Sequence, residues 1–401
     1  MEKNKRFPLL CEDKKCTGCL ACINICNSGA LSVTTNDEGY YRPLLNSEKC
    51  IMCGLCESAC PVITPVIKQD EKKLKVYAAW HKDASIRRRS SSGGAFSALA
   101  ESVLHQGGVV FGAAYTEDLH VQHIEVTDEE GLERLRLSKY AQSCVGGTMK
   151  RVRELLREGR LVMFVGTPCQ VAGLKNFLRK DYDNLLLVDF ICHGVPSNDM
   201  LQAYLHWLEK KYGKVNHINF RDKRKGWYDA LRVIKTDRGG DTVLKGDDDN
   251  YWVGFNNNNN LQQSCYQCVA QGFPRVSDIT LADFWQIGLK IPFGHKNEIE
   301  KGVSLLAINS DKGAKALRSS VDSMFIEERS IEEGIAGNVA AIRSSICPDS
   351  RETIYRDLKN MNYDDFRKKY YKTNIKQDAV KFFREYLPYG VIKRIRLSKQ
   401  R

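Results

Sequence analysis

The stretches CTGCLACINIC, at residues 16–26, and CIMCGLCESAC, at residues 50–60, decide how the first part of this chain folds. Each has four cysteines with the spacing Cys-x2-Cys-x2-Cys-x3-Cys, and Pro61 follows the second run. This close spacing lets three thiolates from a single loop converge on one metal centre. A unit of about 45 residues is too small to be held together by a hydrophobic core alone. The two runs therefore predict a compact domain that metal–thiolate bonds stabilise.

The pattern of these runs is that of bacterial domains with two 4Fe-4S clusters, in which the fourth cysteine of each run ligates the other cluster. A zinc ribbon usually takes its four thiolates from two separated Cys-x2-Cys pairs, and the third cysteine of each run has no role there. Iron-sulfur clusters are therefore favoured over zinc. The predicted ligands are Cys16, Cys19, Cys22 and Cys60 for one cluster, and Cys50, Cys53, Cys56 and Cys26 for the other.

The number of cysteines bears on the cellular compartment. Nine of the fifteen lie between residues 11 and 60, and the other six lie between residues 144 and 347. The chain starts without an apolar stretch suited to a secretion signal, and no segment approaches the roughly 20 apolar residues that span a bilayer. We therefore expect a cytoplasmic protein with reduced thiols, in which metal ligation explains most cysteines better than disulfide bonds. Cys11, Cys144 and Cys347 are expected to be ordinary thiols.

Length and composition indicate a globular protein of more than one domain. The chain has 401 residues, which is more than a single hydrophobic core usually supports. Its 42% hydrophobic and 27% charged residues are close to average and argue against disorder. We predict a ferredoxin-type domain at residues 1–67, a larger domain at residues 76–310 and a helical, basic region at residues 311–401. The segment at residues 62–75 reads as a linker.

Apolar runs alternate with helix-like stretches after the linker. Runs such as KVYAAW, GGVVFGAAY, RLVMFVG, NLLLVDFIC and HINF have strand character, whereas AFSALAESVLHQG and GTMKRVRELLREG have helix character. This alternation indicates a mostly parallel α/β sheet. The predicted fold class is therefore α/β: a small α+β two-cluster domain, a larger α/β domain and a helical C-terminal region.

The positive charge is concentrated at the C-terminal end. Residues 361–401 carry twelve basic and four acidic side chains, which accounts for eight of the twelve surplus charges of the chain. A solvated amphipathic helix is the favoured interpretation. A peripheral contact with an anionic membrane or an acidic partner is the alternative. No recognisable module combines these charges with stacking aromatic residues, so we expect no nucleic-acid binding.

Several motifs beyond the linker resemble, in order, the beta subunit family of coenzyme F-420 hydrogenases and dehydrogenases. The resemblance extends over about residues 76–358. It implies an α/β domain that binds FAD and carries a 4Fe-4S cluster close to the flavin. The motifs are SSSGGAFSALA (90–100), SKYAQS (138–143), GTPCQVAGLKNFL (166–178), DFICHGVPS (189–197), NFRDKRKGW (219–227), SCYQC (264–268) and ITLADFW (279–285).

The resemblance implies that three of these motifs contact FAD. Residues 91–94 precede a helix-like stretch, where small residues let backbone amides approach a pyrophosphate, with a plain helix cap as the alternative. Residues 166–168 follow an apolar strand, where α/β folds place ligands. Residues 139 and 140 are assigned to the flavin or its phosphates, with a surface role as the alternative. The assigned residues are Ser91, Ser92, Gly93, Gly94, Lys139, Tyr140, Gly166, Thr167 and Pro168.

A third cysteine quartet lies inside the family-like motifs. We expect Cys169, Cys192, Cys265 and Cys268 to ligate a 4Fe-4S cluster beside the flavin, since the first two follow strand-like runs that open at one edge of the sheet. Buried core thiols and a structural zinc site are the alternatives. His193 is the candidate for a hydrogen bond or proton relay near the flavin, and a structural role is its alternative.

These observations predict an iron-sulfur flavoprotein oxidoreductase. It would exchange electrons with a ferredoxin-like or other one-electron carrier through the clusters, and with a two-electron partner through FAD. That partner is either the deazaflavin coenzyme F-420 or a small organic substrate, such as a sugar derivative or a tetrapyrrole, that reduced ferredoxin drives the enzyme to reduce. A non-catalytic electron-relay subunit is the third hypothesis.

Overall fold

The computed structural model describes residues 6–371, which form a mixed α/β fold. This part of the chain contains a two-stranded hairpin, a three-stranded sheet and an eight-stranded sheet. The strands are β1 Leu31–Thr35, β2 Tyr41–Leu45, β3 Lys75–His81, β4 Val109–Tyr115, β5 Val121–Val126, β6 Val162–Val165, β7 Leu185–Phe190, β8 Val215–Asp222, β9 Leu231–Thr236, β10 Asp241–Leu244, β11 Ile279–Asp283, β12 Ser304–Ile308 and β13 Met324–Arg329.

Helices lie between the strands in sequence. The α-helices are α1 Ala21–Ile25, α2 Leu55–Ala59, α3 Ala84–Arg88, α4 Ala95–His105, α5 Glu129–Leu135, α6 Thr148–Arg157, α7 Pro168–Leu178, α8 Asn198–Tyr212, α9 Asn250–Asn256, α10 Asp311–Ser320, α11 Ile331–Ala336, α12 Arg351–Asn360 and α13 Tyr363–Tyr370. Short 3-10 helices lie at Glu71–Lys73, Gly246–Asp249, Gln263–Gln267, Lys296–Lys301 and Val339–Ala341. Local capping favours several of these helices; for example, the Ser197 hydroxyl accepts a hydrogen bond from the Met200 amide at the start of α8.

The large sheet has the strand order β13-β3-β12-β11-β7-β6-β4-β5. Its centre is parallel, since β6 pairs in parallel with both β4 and β7, and β7 pairs in parallel with β11. The flanking pairs are antiparallel. The expectation of a mostly parallel sheet is therefore corrected to a mixed one. The physical reason is that no α-helix separates β4 from β5 or β11 from β12, so each pair runs antiparallel.

Two hydrophobic cores cover the faces of the large sheet. On one face, Phe111 and Phe164 pack with side chains of α6 and α7. On the other face, Val110 and Met163 pack with side chains of α4, α5 and α10. Because both faces of a central strand are buried, its sequence is almost continuously apolar, as in the LLLVDF of β7.

The cysteine-rich region, residues 16–60, packs directly against this sheet domain. Helices α1 and α2 contact each other and α7. Gly173 of α7 has no side chain at this contact, and a Cβ there would lie 2.8 Å from Cys19 Sγ. The Asn24 side-chain amide donates a hydrogen bond of 2.8 Å to the Gly146 carbonyl. These contacts fix the cysteine-rich region against α7.

The three-stranded sheet is antiparallel and forms a second layer with an aromatic-rich core. The HINF run lies in β8, so it belongs to this second sheet and not to the large one. The core includes side chains of α8, α9, α12 and α13, and also Tyr40 from the cysteine-rich region. The Tyr40 hydroxyl lies 2.6 Å from the Tyr355 hydroxyl.

The region after residue 310 contributes to the large sheet. The expectation of a helical region omits β13, which pairs antiparallel with β3 at the sheet edge. Helices α10 to α13 account for most of the remaining described residues of this region. Residues 372–401, which hold most of the C-terminal positive charge, lie outside the described residues, and with them most of the segment predicted as an amphipathic helix or membrane contact.

Most of the family-like motifs lie at one end of the large sheet, where its parallel strands have their carboxyl ends. Strand β3 is antiparallel to β12, which is antiparallel to β11, so β3 runs in the same direction as the central parallel strands. The carboxyl ends of β3, β6, β7 and β11 therefore meet at one edge, where open α/β sheets bind ligands. The segments that follow these strands are residues 91–94, 166–169, 191–193 and 284–285.

Candidate functional site

The two N-terminal cysteine runs form similar loops. In the first loop, Gly18 and Leu20 have φ values of 66° and 60°. Met52 and Gly54, at the equivalent positions of the second loop, have values of 56° and 72°. Left-handed positions of this kind turn backbone amides toward a common centre, as in the concave sites that bind iron-sulfur clusters. Each loop therefore has a backbone that suits a cluster.

The structure brings Cys60 of the second run to the first run. Cys16, Cys19, Cys22 and Cys60 line one cavity, together with Cys56 and apolar side chains that include Leu20 and Ile63. The crossed fourth ligand predicted for the first cluster is thus next to its three partners. A cavity lined by several thiols, among them the predicted four, and otherwise by apolar walls fits a 4Fe-4S cluster in its composition.

The second run lies closer to the surface. Cys53 is exposed and Cys50 is half-buried, whereas Cys56 is buried. Burial raises the pKa of Cys56 to about 11, and the neighbouring Cys53 thiol contributes to this rise. The predicted ligand Cys26 lies at the end of α1 with its Sγ 3.5 Å from Ser28 Oγ. Its place in the second cluster remains a prediction.

Cys11 has contacts in this region that its position in the sequence does not predict. Its thiol lines the cavity of the first quartet, although it was expected to be an ordinary thiol. Hydrogen bonding with the Cys11 side chain lowers the pKa of Cys16 to about 7 and the pKa of Cys60 to about 6. The spacing of the motif contains no signal for this contact, because Cys11 lies five residues before the first run.

The third predicted quartet is assembled from three separate parts of the fold. Cys169 is the second residue of α7, and Cys192 lies two residues beyond β7. Cys265 and Cys268 belong to the 3-10 helix at Gln263–Gln267 and its C-cap. Burial raises the pKa of Cys192, and the thiols of the other three raise it further. The structure therefore brings all four cysteines together.

The thiols of the third quartet also resist ionisation. Burial raises the pKa of Cys169 to about 11 and that of Cys265 to about 12. Clustered thiolates are stabilised by a bound cationic centre, so the donor set fits a cluster. Within residues 6–371, no three Cys, His, Asp or Glu side chains are arranged to hold a single metal ion. A 4Fe-4S cluster needs more widely spaced thiolates than a single ion does.

The first and third quartets are neighbours. Cys169 contributes to the raised pKa of Cys19, after burial and Cys22, and Thr17 bonds to the Cys169 thiol. The Gln262 side-chain amide, three residues before Cys265, donates a hydrogen bond of 2.5 Å to the Cys16 carbonyl. The loop of the first quartet therefore contacts both the α7 and the 3-10 segments of the third.

Aromatic side chains lie beside Cys192 and Cys265 of the third quartet. The rings of Tyr140 and His193 each lie 4.9 Å from the ring of Phe255. Burial lowers the pKa of His193, so its imidazole is neutral at pH 7. Within the described residues, the buried His193 Nε2 and Arg221 Nε have no hydrogen-bond partner. Orphaned polar atoms of this kind fit a polar ring system that is not part of the polypeptide.

Arg221 is a residue that sequence reasoning missed. It lies in the NFRDKRKGW motif, with its Nη2 3.1 Å from Asp283 of the ADFW motif and its guanidinium over the Trp285 ring. Trp285 stacks on Trp227 at 5.1 Å with the planes 2° apart. These contacts pack together the NFRDKRKGW and ADFW motifs, which are distant in sequence. Arg221 stands between Phe220 and Asp222, so no local pattern distinguishes it.

The loop at residues 91–94, which is predicted to bind the pyrophosphate, is hydrogen-bonded to the large sheet. The Gly93 amide donates to Ser304 Oγ at 3.0 Å, and a Cβ at this glycine would collide with the Ala79 carbonyl. Gly94 precedes α4 and supplies no capping side chain. The Ser91 hydroxyl accepts from the Ser138 amide at 2.9 Å, which brings the SSSGG and SKYAQS motifs together. The first amides of α4 are thus free of side-chain caps.

The other predicted flavin residues differ in their contacts. The Lys139 ammonium donates to the carbonyls of Arg134, Arg136 and Leu137 at 2.6–3.2 Å, so it stabilises the end of α5. Burial lowers the pKa of Lys139 to about 7. The role of Lys139 in binding phosphate gains no support from these contacts.

Residues 166–168 connect β6 to α7 at the third quartet. The Thr167 amide donates to Gln170 Oε1 at 3.0 Å, which caps the helix, and Thr167 Oγ1 lies 3.1 Å from Cys169 Sγ. Pro168 is the first residue of α7, where its fixed φ suits a helix start. This segment therefore positions Cys169.

Three family models match the chain. Residues 15–63 match the 4Fe-4S dicluster domain. Residues 76–149 match the N-terminal model, and residues 159–334 the C-terminal model, of the coenzyme F-420 hydrogenase/dehydrogenase beta subunit. These matches confirm the family that the motifs predict and the dicluster domain that the cysteine spacing predicts.

Curated relatives share short segments with the chain. The archaeal-type glutamate synthase (NADPH) of Thermotoga maritima is 29% identical over 85 residues, which are 21% of this chain and 16% of that protein. The polyferredoxin-like subunit of an aliphatic sulfonate oxidoreductase from Pyrococcus furiosus is 41% identical over 63 residues, 15% of this chain and 35% of that one. The chain thus spans well under half the length of either relative.

A solved structure of the F-420-reducing NiFe hydrogenase complex from Methanosarcina barkeri is also similar. The match has 17% identity and a TM-score of 0.43, and covers 75% of this chain and 91% of that one. Across the described part of the chain, no helix is both long and apolar enough to cross a bilayer.

Proposed function

Because the chain belongs to the coenzyme F-420 hydrogenase/dehydrogenase beta subunit family and carries a 4Fe-4S dicluster domain, we propose that it is an iron-sulfur flavoprotein oxidoreductase. In this proposal, three 4Fe-4S clusters connect a one-electron carrier to FAD. When bound, FAD supplies the ability to accept electrons in pairs and to release them singly. The residues of the chain position the groups and exclude water.

The observation that carries the proposal is the contact between the first and third quartets. Gln262 and Thr17 bridge the two sets of thiols, and Gly173 allows Cys19 to approach α7 closely. The third quartet in turn lies near the carboxyl ends of the parallel strands, close to the motifs that are predicted to contact FAD. The exposed Cys53 of the second run supports a contact with an external one-electron carrier.

The placement of the motifs supports a dinucleotide along the sheet edge. The loop at residues 91–94 follows β3, and Cys192 follows β7, with β12 and β11 between these strands. Three inter-strand steps separate the two positions by about 14 Å. This span suits an extended dinucleotide with its pyrophosphate near α4 and its ring system near the third quartet.

The polar side chains near the third quartet are suited to a flavin ring. The Arg221 Nε and His193 Nε2 atoms are free to hydrogen-bond it, and neutral His193 can hold or pass a proton at Nε2. Asp283 and the stacked Trp285 keep the Arg221 guanidinium in place. His193 is therefore proposed as a proton-handling residue, and Arg221 as a ring-binding residue.

Cofactor analysis of anaerobically prepared protein tests the proposal. We expect about twelve irons, about twelve sulfides and one FAD per chain. About eight irons would remove the third cluster. Clusters without flavin would favour a non-catalytic relay subunit, and colourless protein would reject the whole scheme.

Adding the deazaflavin coenzyme F-420 to the loaded protein distinguishes the two-electron partners. We expect its absorbance to change only when FAD is present and the clusters can accept or donate electrons. If no flavin-dependent change occurs, the deazaflavin is excluded, and reduction of an organic substrate by reduced ferredoxin is the next reaction to test.

A further inference from the structure

A basic cavity lies near the end of β3, apart from the cysteine quartets. Its volume is about 420 Å³, which is within the usual range for small-molecule sites. It is lined by the end of β3, by α3, by the segment after β8 and by the 3-10 helix at Lys296–Lys301. Three separate segments of the chain, at residues 80–88, 223–224 and 298–301, therefore converge on it.

The charge of the cavity lining is positive. Six cationic side chains and two glutamates, Glu298 and Glu300, line it. Arg224 is paired with Asp222 and Asp241 outside the lining, and burial lowers the pKa of Lys223 to about 7, so Lys82 and Arg88 carry most of the surplus charge. The cationic side chains are those of Lys82, Arg87, Arg88, Lys223, Arg224 and Lys301. Such a surplus in a concave surface attracts anions.

The inner cations are fixed by the fold. Arg87 is 3% exposed, donates to Glu298 and to the Gly302 carbonyl, and lies over the Trp80 ring at 4.8 Å. The Lys223 ammonium donates to the carbonyls of Arg87 and Ser92 at 2.6 and 2.5 Å. These contacts hold the wall of the cavity against the loop at residues 91–94.

The outer cations retain donors for a ligand. Lys82 is exposed and uses one bond, of 3.3 Å, to the Val321 carbonyl. Arg88 is also exposed, and its guanidinium makes no hydrogen bond or ion pair among those the structure shows in residues 6–371. An ammonium has three donors and a guanidinium has five, in a fork that matches phosphate oxygens.

We propose that this cavity binds the phosphate groups of an organic ligand. Its volume exceeds the needs of a single inorganic anion, and its cations come in both the point-charge and the forked form that phosphate recognition uses. The phosphates could come from the nucleotide part of FAD or from a phosphorylated substrate. The proposal does not depend on the clusters or on the identity of the one-electron carrier.

Binding of ADP and inorganic pyrophosphate to the full-length chain tests this proposal. The double variant Lys82→Glu/Arg88→Glu reverses two exposed charges at the rim, and Lys359→Glu makes the same kind of change at an exposed position on α12. We expect the double variant to lose about tenfold or more in affinity for ADP, or in retained FAD, relative to Lys359→Glu. Affinity should also fall as ionic strength rises.

The two readouts distinguish the sources of the phosphate. If FAD content falls in the double variant, the cavity holds the nucleotide part of the flavin. If FAD content is unchanged and ADP affinity falls, the cavity belongs to a phosphorylated substrate. The proposal is overturned if the double variant matches Lys359→Glu in both FAD content and ADP affinity, with iron content and circular dichroism showing that both variants fold.

Discussion

The two kinds of cysteine set in this chain are built in opposite ways. The ligands predicted for the first two clusters all lie within residues 16–60, on two loops that share left-handed backbone positions. Those predicted for the third span residues 169–268 and meet only because β6, β7 and a 3-10 helix end near one another. A local set is encoded by spacing, whereas a dispersed set is a product of the fold. The dispersed set should therefore be the more sensitive to changes elsewhere in the sheet domain.

Removing one thiol of the dispersed set should have the largest effect. In Cys192→Ala, we expect iron to fall from about twelve to about eight per chain, because a 4Fe-4S cluster rarely survives with three protein thiolates at a half-buried site. Iron, sulfide and flavin analysis would measure this loss. The first two clusters should keep their electron paramagnetic resonance signals.

Cys53→Ala is the matched variant in the local set. It should lose a similar amount of iron while keeping the signal of the cluster beside the flavin. If Cys192→Ala retains all twelve irons, the dispersed cysteines are core thiols and the comparison fails.

The junction between the two regions should give the next largest effect. Arg351 is 2% exposed, pairs with both carboxylate oxygens of Glu38 at 2.7 and 2.6 Å, and donates to the Leu261 carbonyl at 2.8 Å. Arg351→Ala should lower the free energy of unfolding by about 3 kcal/mol, because it leaves the buried Leu261 carbonyl and the half-buried Glu38 carboxylate unpaired. Anaerobic urea denaturation followed by tryptophan fluorescence would measure this.

Arg356→Ala is the control for that variant, since its side chain is 66% exposed beside Asp357. Its effect should stay below about 0.5 kcal/mol. Equal effects of the two substitutions would show that Arg351 does not fasten the cysteine-rich region.

Filling the space at Gly173 should disturb the contact between the first and third quartets. A Cβ at this position would lie 2.8 Å from Cys19 Sγ and 3.3 Å from the Ala21 Cβ. Gly173→Ala should cost about 2 kcal/mol of stability and weaken the magnetic interaction between the two clusters. Gly294→Ala, where a Cβ meets no atom within 4 Å and no helix cap is changed, should change neither quantity. An unaltered interaction in Gly173→Ala would argue against adjacent clusters.

The smallest expected effect is a pH dependence confined to the sheet domain. Burial lowers the pKa of His123 to about 4. The His123 ring hydrogen-bonds to the Ser143 hydroxyl and to the carbonyl of Val165, which directly precedes residues 166–169. Between the unfolded value of about 6.5 and the folded value, the unfolded chain binds one more proton, so stability falls as pH decreases.

Lowering the pH from 7.5 to 5.5 should therefore cost about 1 kcal/mol through this residue. His123→Gln should remove that part of the slope in urea denaturation at the two pH values. The first 80 residues contain no histidine, so the local set has no equivalent group. An unchanged slope in His123→Gln would assign the pH dependence to other groups.

Much of the sheet domain was predictable because its strands are buried. KVYAAW, GGVVFGAAY, RLVMFVG and NLLLVDFIC all form strands of the large sheet, and the two helix-like stretches form α4 and α6. Continuous apolar runs carry this information when both faces of a strand are covered. The edge pairing of β13 with β3 depends on a long-range contact, which no local pattern encodes. Strands β8 to β10 pair with their neighbours in sequence, but an apolar run alone does not show which sheet a strand joins.

The site was predictable to the extent that its residues form motifs. Spacing predicted the local cysteine ligands, and the family-like motifs predicted the dispersed ones. The contacts of Cys11 and Arg221 were missed because they arise from folding alone. Lys139 shows the converse: its motif suggested a ligand contact, but its ammonium caps the end of α5.

The exposure of the second cysteine run has a consequence for handling the protein. Cys53 is exposed and Ile51 is 67% exposed, whereas Cys16 and Cys19 of the first run are buried. Dioxygen and chelators reach thiolates at the surface before those in the interior. In air, we expect the visible absorbance of the clusters to fall in stages. Iron should be lost first from the second cysteine run and last from the third quartet.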